Sequence, residues 1–431
     1  MKVTTAFFAA GIASLCCASV APRDDTSTML QLNPDENFHF EILRAMAATP
    51  YEGADIGDVL MAAHNIKAGD FESFYNAFNT LAVRTEKNAR AIDARRFPVS
   101  ARQGLFKAST YYRSADFYLH GNWSDPRLTS LWAKQRSTFD DAIAMLPVPG
   151  KRVTIPSKDG SFQIPAIFYG SGLPGRRPTL IMCNGYDGAQ EEMYHMIGKA
   201  VTERGMNAIT FEGPGQPTVR REQNIGFTHE WEKVVSPVID WAISRREVDR
   251  HAIGALGYSF GGYLMPRAAA FDDRIAAVLA IDGLFDFGAA ILAQFPPPLI
   301  GLFRSGNKEQ FDEVIKGSLQ DPNTPTGVKW SLQQGLWSFN TESPYEWLGR
   351  ALQYNLTEVA SKIKAPTFVA DAELEMFFPG QPKQLADALG DKATHYVFKA
   401  EDGAGEHCGI GGSFFQNSII LDWFENIVRR H

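Results

Sequence analysis

The amino-acid sequence predicts an α/β fold, with a mostly parallel central sheet flanked by helices and a helical cap. Three observations carry this expectation. Short apolar runs alternate with helical stretches from Lys151 onward, glycine-rich turns close several of those runs, and the residues before Lys151 show helical periodicity alone. The length of 431 residues suits one large domain or two modest ones sharing an interface.

The chain opens on MKVTTAFFAAGIASLCCASVA, an early lysine, a short apolar run and small residues at Ser19-Val20-Ala21. That layout is the pattern of a secretory signal over residues 1–21, cleaved after Ala21. A secreted protein is therefore expected, with an intracellular one as the alternative. No later run is long enough to cross a bilayer. Asn122-Trp123-Ser124 and Asn355-Leu356-Thr357 are glycosylation sequons compatible with a glycoprotein. Of the four cysteines, Cys16 and Cys17 fall in the leader. Cys183 and Cys408 remain, too few for a disulfide framework and wrongly spaced for zinc. The net charge of −7 leaves no basic footprint, which argues against nucleic acid and anionic membrane surfaces as partners.

Residues 22–150 read as a helical N-terminal region. In EILRAMAATP, ESFYNAFNTLAVRTEKNARAI, ARQGLFKASTYYRSADFYL and LTSLWAKQRSTFDDAIAML, apolar residues recur every three or four positions. Residues 151–431 read as the sheet domain. RVTIPSKDGSFQIPAIFYG gives two strands around the turn Lys158-Asp159-Gly160. The strands PTLIMC, MNAITF, AIGALGY, IAAVLAI, APTFVADA and THYVFKA follow, separated by helical segments, and SFFQNSIILDWFENIVRR closes the chain as a helix. Residues 285–362, with QFPPPLIGLF, KEQFDEVIKGSL and YEWLGRALQYNL, are too long for a simple crossover and are expected to form a lid insertion.

The motif that carries chemistry is Gly257-Tyr258-Ser259-Phe260-Gly261, directly after an apolar strand and before a helix. In that setting a G-x-S-x-G turn exposes a strained serine at the carboxyl edge of the sheet, which specifies the α/β-hydrolase fold with Ser259 as nucleophile. The base expected in this chain order is His407, on the glycine-rich loop GAGEHCG after the last strand. The orienting acid is expected at Glu375, a few residues beyond the strand TFVA. Asp371 is the alternative, Glu373 reads as a solvated neighbour, and Asp282 at the end of IAAVLAID is a further candidate. The oxyanion hole should combine the backbone N–H of Phe260 with that of Tyr186, or of Asp187 in its place, from the loop NGYDG after the third strand. Tyr111, Tyr112 and Asp116 share a helical face that is either a wall of the substrate pocket or plain packing. Glu212-Gly213-Pro214-Gly215 reads as a structural turn. No cofactor and no metal are expected.

NGYDGAQEEMY, FEGPGQ, GYSFGGYLMPRAAAFDDRIAA, DAELEMFFPGQPKQLADAL and GAGEHC, in this order, resemble the α/β-hydrolases of fungal polyketide pathways. That group includes hydrolases that shorten polyketides of yellowish-green pigments and the hydrolases of fusarin and cytochalasan clusters. Bacterial dihydroxypseudooxynicotine-type C–C hydrolases look like more distant relatives. The resemblance implies serine attack on a carbonyl (ester, amide or β-dicarbonyl) of a polyketide-type small molecule in secondary metabolism. This chain departs from the group's pattern in carrying Glu375 where Asp is more usual, and Pro217 where the turn ordinarily ends in glycine. Two alternatives stay open: condensation or cyclisation of a bound polyketide, and a non-catalytic binding protein on the same scaffold. A homodimer is also open.

Overall fold

The computed structural model describes residues 29–429. The leader-like segment, with Cys16 and Cys17, lies outside the described residues. The sheet runs in the order β1-β2-β4-β3-β5-β6-β7-β8. Its strands are β1 (Lys151–Pro156), β2 (Gln163–Tyr169), β3 (Arg177–Cys183), β4 (Asn207–Phe211), β5 (Val248–Tyr258), β6 (Ala277–Ile281), β7 (Thr367–Ala372) and β8 (Ala393–Phe398). β1 and β2 form the expected hairpin, and β2 joins β4 antiparallel. From β4 to β8 every pairing is parallel. β3, β4 and β6 are buried almost throughout, which is why they read as continuous apolar runs and not as alternating ones.

Ahead of the sheet come α1 (Glu36–Ala47), α2 (Ile56–Ala63), α3 (Phe71–Arg90), α4 (Pro98–Asp116) and α5 (Arg127–Ala144). Asp35 caps α1 by accepting from the N–H groups of Asn37 and Phe38, and Asp70 caps α3 through Ser73. Pro98 opens α4, where its missing N–H costs nothing. The α3–α5 bundle docks on the sheet domain through aromatic contacts. Phe106 of α4 packs on Phe139 of α5 and stacks on Tyr194, each with ring centroids 5.3 Å apart.

Tyr194 begins a π turn (Tyr194–Gly198) between α6 (Gln190–Met193) and α7 (Lys199–Glu203), which follow β3. α8 (Pro217–Gln223) and α9 (Glu232–Ile243) lead to β5, and α10 (Gly261–Ala269) leaves it. Between β6 and β7 lie α11 (Phe287–Leu292), α12 (Pro297–Arg304), α13 (Lys308–Gln320), α14 (Thr326–Ser338) and α15 (Pro344–Ala351). α16 (Gln381–Leu389) precedes β8, and α17 (Ser413–Val428) covers the sheet at the end.

The neck of the β6–β7 insertion is pinned where its two ends meet. Phe287 N–H donates to Tyr354 O (3.0 Å) and Leu356 N–H to Phe285 O (2.9 Å). Asn355 donates its side-chain amide to Asp286. The nitrogen a glycan needs at the second sequon is thus already engaged, whereas Asn122 of the first is exposed. Among the described residues no helix is long and apolar enough to cross a membrane.

β5 is the spine of the sheet, and Leu256 within it is wholly buried beside the active edge. Leu256→Ala should lower stability by about 2–5 kcal/mol, read as a reduced urea midpoint, because the close-packed layer cannot collapse into the gap.

Candidate active site

The turn from β5 into α10 determines where Ser259 stands. Ser259 has φ 56°, a left-handed conformation that a side-chain-bearing residue adopts only when its surroundings enforce it. Two hydrogen bonds do so: Ser259 N–H to Ile281 O (2.9 Å) and Gly262 N–H to Ser259 O (2.6 Å). The turn is too tight for a Cβ at Gly257, which would lie 2.0 Å from Gly261 O. The sequence pattern G-x-S-x-G is the imprint of that crowding.

His407 Nε2 lies 2.8 Å from Ser259 Oγ, and its Nδ1 lies 2.5 Å from Glu375 Oε2. Glu375 is fixed in turn by the N–H groups of Phe377 (2.7 Å) and Phe378 (2.9 Å), both donating to Oε1. The two loops are tied together by Leu374 N–H to Gly405 O (2.8 Å). Asp282 Oδ2 also reaches His407 Nδ1, at 3.0 Å, and accepts the N–H of Cys408. Burial disfavours the imidazolium of His407, but Glu375 and Asp282 outweigh it and raise its pKa well above the ordinary value. Burial pushes the Cys408 thiol itself up to about 12, so it is neutral near pH 7 and the carboxylates supply the effect.

Gly185 packs against the same turn, with its missing Cβ position 2.9 Å from Phe260 N. This brings the loop 184–188 beside the start of α10. Among the described residues, neither the Phe260 nor the Tyr186 amide donates to a protein acceptor. Two uncommitted N–H groups beside the serine suit a developing oxyanion.

Ser259 and His407 open into a cavity of about 490 Å³ whose walls are mainly apolar. Phe40 comes from α1, Leu299 and Ile315 from the β6–β7 insertion, and Trp330 from α14. Phe377 stands edge-on to His407 at 4.8 Å, and Phe40 lies 6.1 Å away. The N-terminal helices and the insertion therefore shield the histidine from water together. Asp282, His407 and Cys408 have potential metal-ligand atoms within 4.8 Å of one another. Those of Asp282 and His407 are already committed to the hydrogen bonds just described.

The esterase FrsA-like family matches residues 75–290. A hydrolase of a Fusarium species is 30% identical over 92% of this chain and 98% of its own. The 20-hydroxy-prefusarin hydrolase of Gibberella moniliformis is 30% identical over 90% of this chain and 96% of its own. The chain belongs to the FrsA-like esterase family. It is a hydrolase with the α/β-hydrolase fold, and its relatives are those to which the motifs pointed. The solved 2,6-dihydroxy-pseudo-oxynicotine hydrolase shares the fold, with a TM-score of 0.69 at 20% identity, over 89% of this chain and 95% of that one.

Several sequence expectations about this FrsA-like site need correction. Asp371 is not beside His407; it pairs with His395 at 3.2 Å across β7 and β8. Side chains alternate along a strand, and Asp371, still within β7, points away from the loop that carries Glu375. Glu373 binds Lys399 and the Ala400 N–H at the surface, as a solvated neighbour should. Tyr112 and Asp116 do not line the large cavity. Tyr112 donates to Glu86 (2.6 Å) inside the bundle, and Asp116 accepts from Arg221 (2.6 Å). Tyr111 donates to Asp58 (3.3 Å), and its face is packing.

A buried ion-pair cluster was missed from sequence. Arg44 of α1 holds Glu192 with two 2.7 Å bonds and Asp187 at 2.9 Å. Arg113 of α4 pairs with Glu41 (3.0 Å) and Asp187 (3.2 Å). Glu192 also accepts from Asn184 (2.8 Å), so both ends of the 184–188 loop are clamped to the helical region. Gln216 supports the loop from the β4 turn by donating to Asn184 O (2.7 Å), and Gln334 of α14 donates to Tyr186 O (3.1 Å). The only sequence signals were Glu41 and Arg44 among the apolar residues of α1 and the paired carboxylates of EEM.

Burial works against the Glu192 carboxylate, but Arg113 and Arg44 outweigh it and hold its pKa at about 2. A folded pKa below the unfolded one stabilises the protein above about pH 4.3, and this contribution is lost as pH falls toward the folded value. Arg44→Met removes one cation from a buried cluster and should cost about 3–5 kcal/mol in urea unfolding. Its acid-unfolding midpoint should move to higher pH than that of the parent chain.

Proposed function

We propose that this hydrolase is a serine-dependent acyl-cleaving enzyme acting on a carbonyl of a polyketide-type small molecule in fungal secondary metabolism. The observation that carries the reading is the relay Glu375–His407–Ser259, with spacings of 2.5 Å and 2.8 Å at the base of a largely apolar cavity. The prefusarin hydrolase among its relatives supports the substrate class.

In the forward step Ser259 Oγ attacks the carbonyl carbon while its proton passes to His407 Nε2. The carbonyl oxygen becomes an oxyanion facing the N–H groups of Phe260 and Tyr186, each worth roughly 3–4 kcal/mol of transition-state stabilisation. His407 then returns the proton to the leaving group, which is an alcohol, an amine or the enolate carbon of a β-dicarbonyl. Water, deprotonated by the same nitrogen, attacks the acyl-enzyme, and collapse frees Ser259 with the carboxylic acid product. Glu375 keeps Nδ1 protonated and the ring in register.

Ser259→Ala should leave a folded chain with ester turnover reduced by roughly 10⁶-fold and no labelling by a fluorophosphonate. Full activity in that variant would refute the proposal. Net hydrolysis, as opposed to cyclisation, incorporates oxygen from labelled water into the product.

The pH profile follows from the sign of the His407 shift. The neutral imidazole is the base, so the rate falls as pH drops through a pKa raised above about 6.5. The acid limb of ester turnover should therefore lie above the ordinary histidine range.

A further inference from the structure

The relay uses one carboxylate, yet the site contains two. Asp282 Oδ2 and Glu375 Oε2 both lie within 3.0 Å of His407 Nδ1, and both side chains are almost wholly buried, at 2% and 3% exposure. One imidazole N–H cannot neutralise two ionised carboxylates in so small and dry a space. The donors around them are unequal. Glu375 receives the Phe377 and Phe378 N–H groups and the shorter bond from His407, whereas Asp282 receives the Cys408 N–H. The better-solvated partner holds the charge, and the other holds a proton.

We infer that Asp282 is a positioning residue that shares a proton with Glu375 and sets the pH range in which His407 works as a base. The inference rests on the proposed serine mechanism. The backbone supports a built site. Asp282 and Cys408, joined by the Cys408 N–H bond, have φ 52° and 58°, left-handed conformations uncommon for residues with side chains. Strain at two linked residues is retained where the fold over-determines them.

The groups facing Asp282 are Glu375 from the loop after β7, His407 and Cys408 from the loop after β8, and Tyr258 from β5. Tyr258 directs its hydroxyl to Gln416 (2.9 Å) and stays neutral, since burial raises its pKa. Burial and the Glu375 charge push Asp282 up to about 7, while Glu375 lies below its ordinary value. As pH rises, Asp282 loses its proton to solvent. The imidazolium then faces two charges instead of one, and its own deprotonation is deferred to higher pH.

The test is the second-order rate of fluorophosphonate inactivation against pH, which needs no knowledge of the natural substrate. Asp282→Asn keeps a neutral hydrogen-bonding side chain but cannot acquire the second charge. Its plateau rate should fall by no more than about tenfold, and its acid limb should move to lower pH by about one unit. Glu375→Gln should lose roughly 10³–10⁴ in plateau rate. An Asp282→Asn limb coincident with that of the parent chain overturns the inference. So does a collapse in Asp282→Asn with Glu375→Gln only mildly affected.

If Asp282→Asn does not fold, the unsubstituted chain decides. The infrared difference spectrum between labelled and unlabelled enzyme, below neutral pH, should contain the carbonyl stretch of a protonated carboxyl beside the labelled site. Its absence refutes a shared proton. Failure of the underlying serine mechanism is distinguishable, because labelling then persists in Ser259→Ala.

Discussion

The left-handed turn at Ser259 is the constraint on which the rest of the site depends. A residue with a side chain adopts φ 56° only at a cost of order 1–3 kcal/mol, and neighbouring elements hold it there. The edge of β6 accepts its N–H through Ile281, and the start of α10 closes back on its carbonyl. The 184–188 loop can approach only because Gly185 presents no Cβ to Phe260 N. Each of these contacts joins a different strand–loop junction at the carboxyl edge of the sheet. The serine, the histidine and both amides therefore converge from residues far apart in the chain.

The second theme is that the sheet domain does not build its own active site. The loop that supplies Tyr186 is clamped by Arg44 from α1 and Arg113 from α4, and steadied by Gln334 from the insertion. Phe40 of α1 closes over His407. A buried cluster of this kind adds little to stability compared with an apolar core, since desolvation offsets most of the Coulomb gain. What it provides is geometry, because five charged groups satisfy one another in a single arrangement. The same helices that exclude water from the histidine thus fix the position of the 184–188 loop beside Ser259.

Much of this was legible in the sequence. The eight strands follow from short apolar runs, and the hairpin from its Lys-Asp-Gly turn, since both depend on local periodicity. Ser259 and His407 stood out because their turns impose composition: glycines where backbone crowds backbone. Glu375 ranked above Asp371 on loop position alone, and the geometry places it against His407 while Asp371 turns to His395. For Tyr112 and Asp116 the sequence leaves pocket wall and packing open, because one helical face looks the same whether it meets a cavity or a neighbouring helix, and the structure makes them packing partners of Glu86 and Arg221.

By itself, the sequence determined the fold class, the candidate residues Ser259, Glu375 and His407 in that chain order, and the family. All of these are written in local pattern and short motifs. The tertiary structure alone decided that two carboxylates share His407, that Arg44 and Arg113 reach the 184–188 loop, and that the cavity walls come from α1 and the insertion. Arg44 and Glu192 are 148 residues apart, and Asp282 reaches Cys408 across 126. A buried charge has meaning only through the partner that neutralises it, and no sequence period records contacts between distant segments.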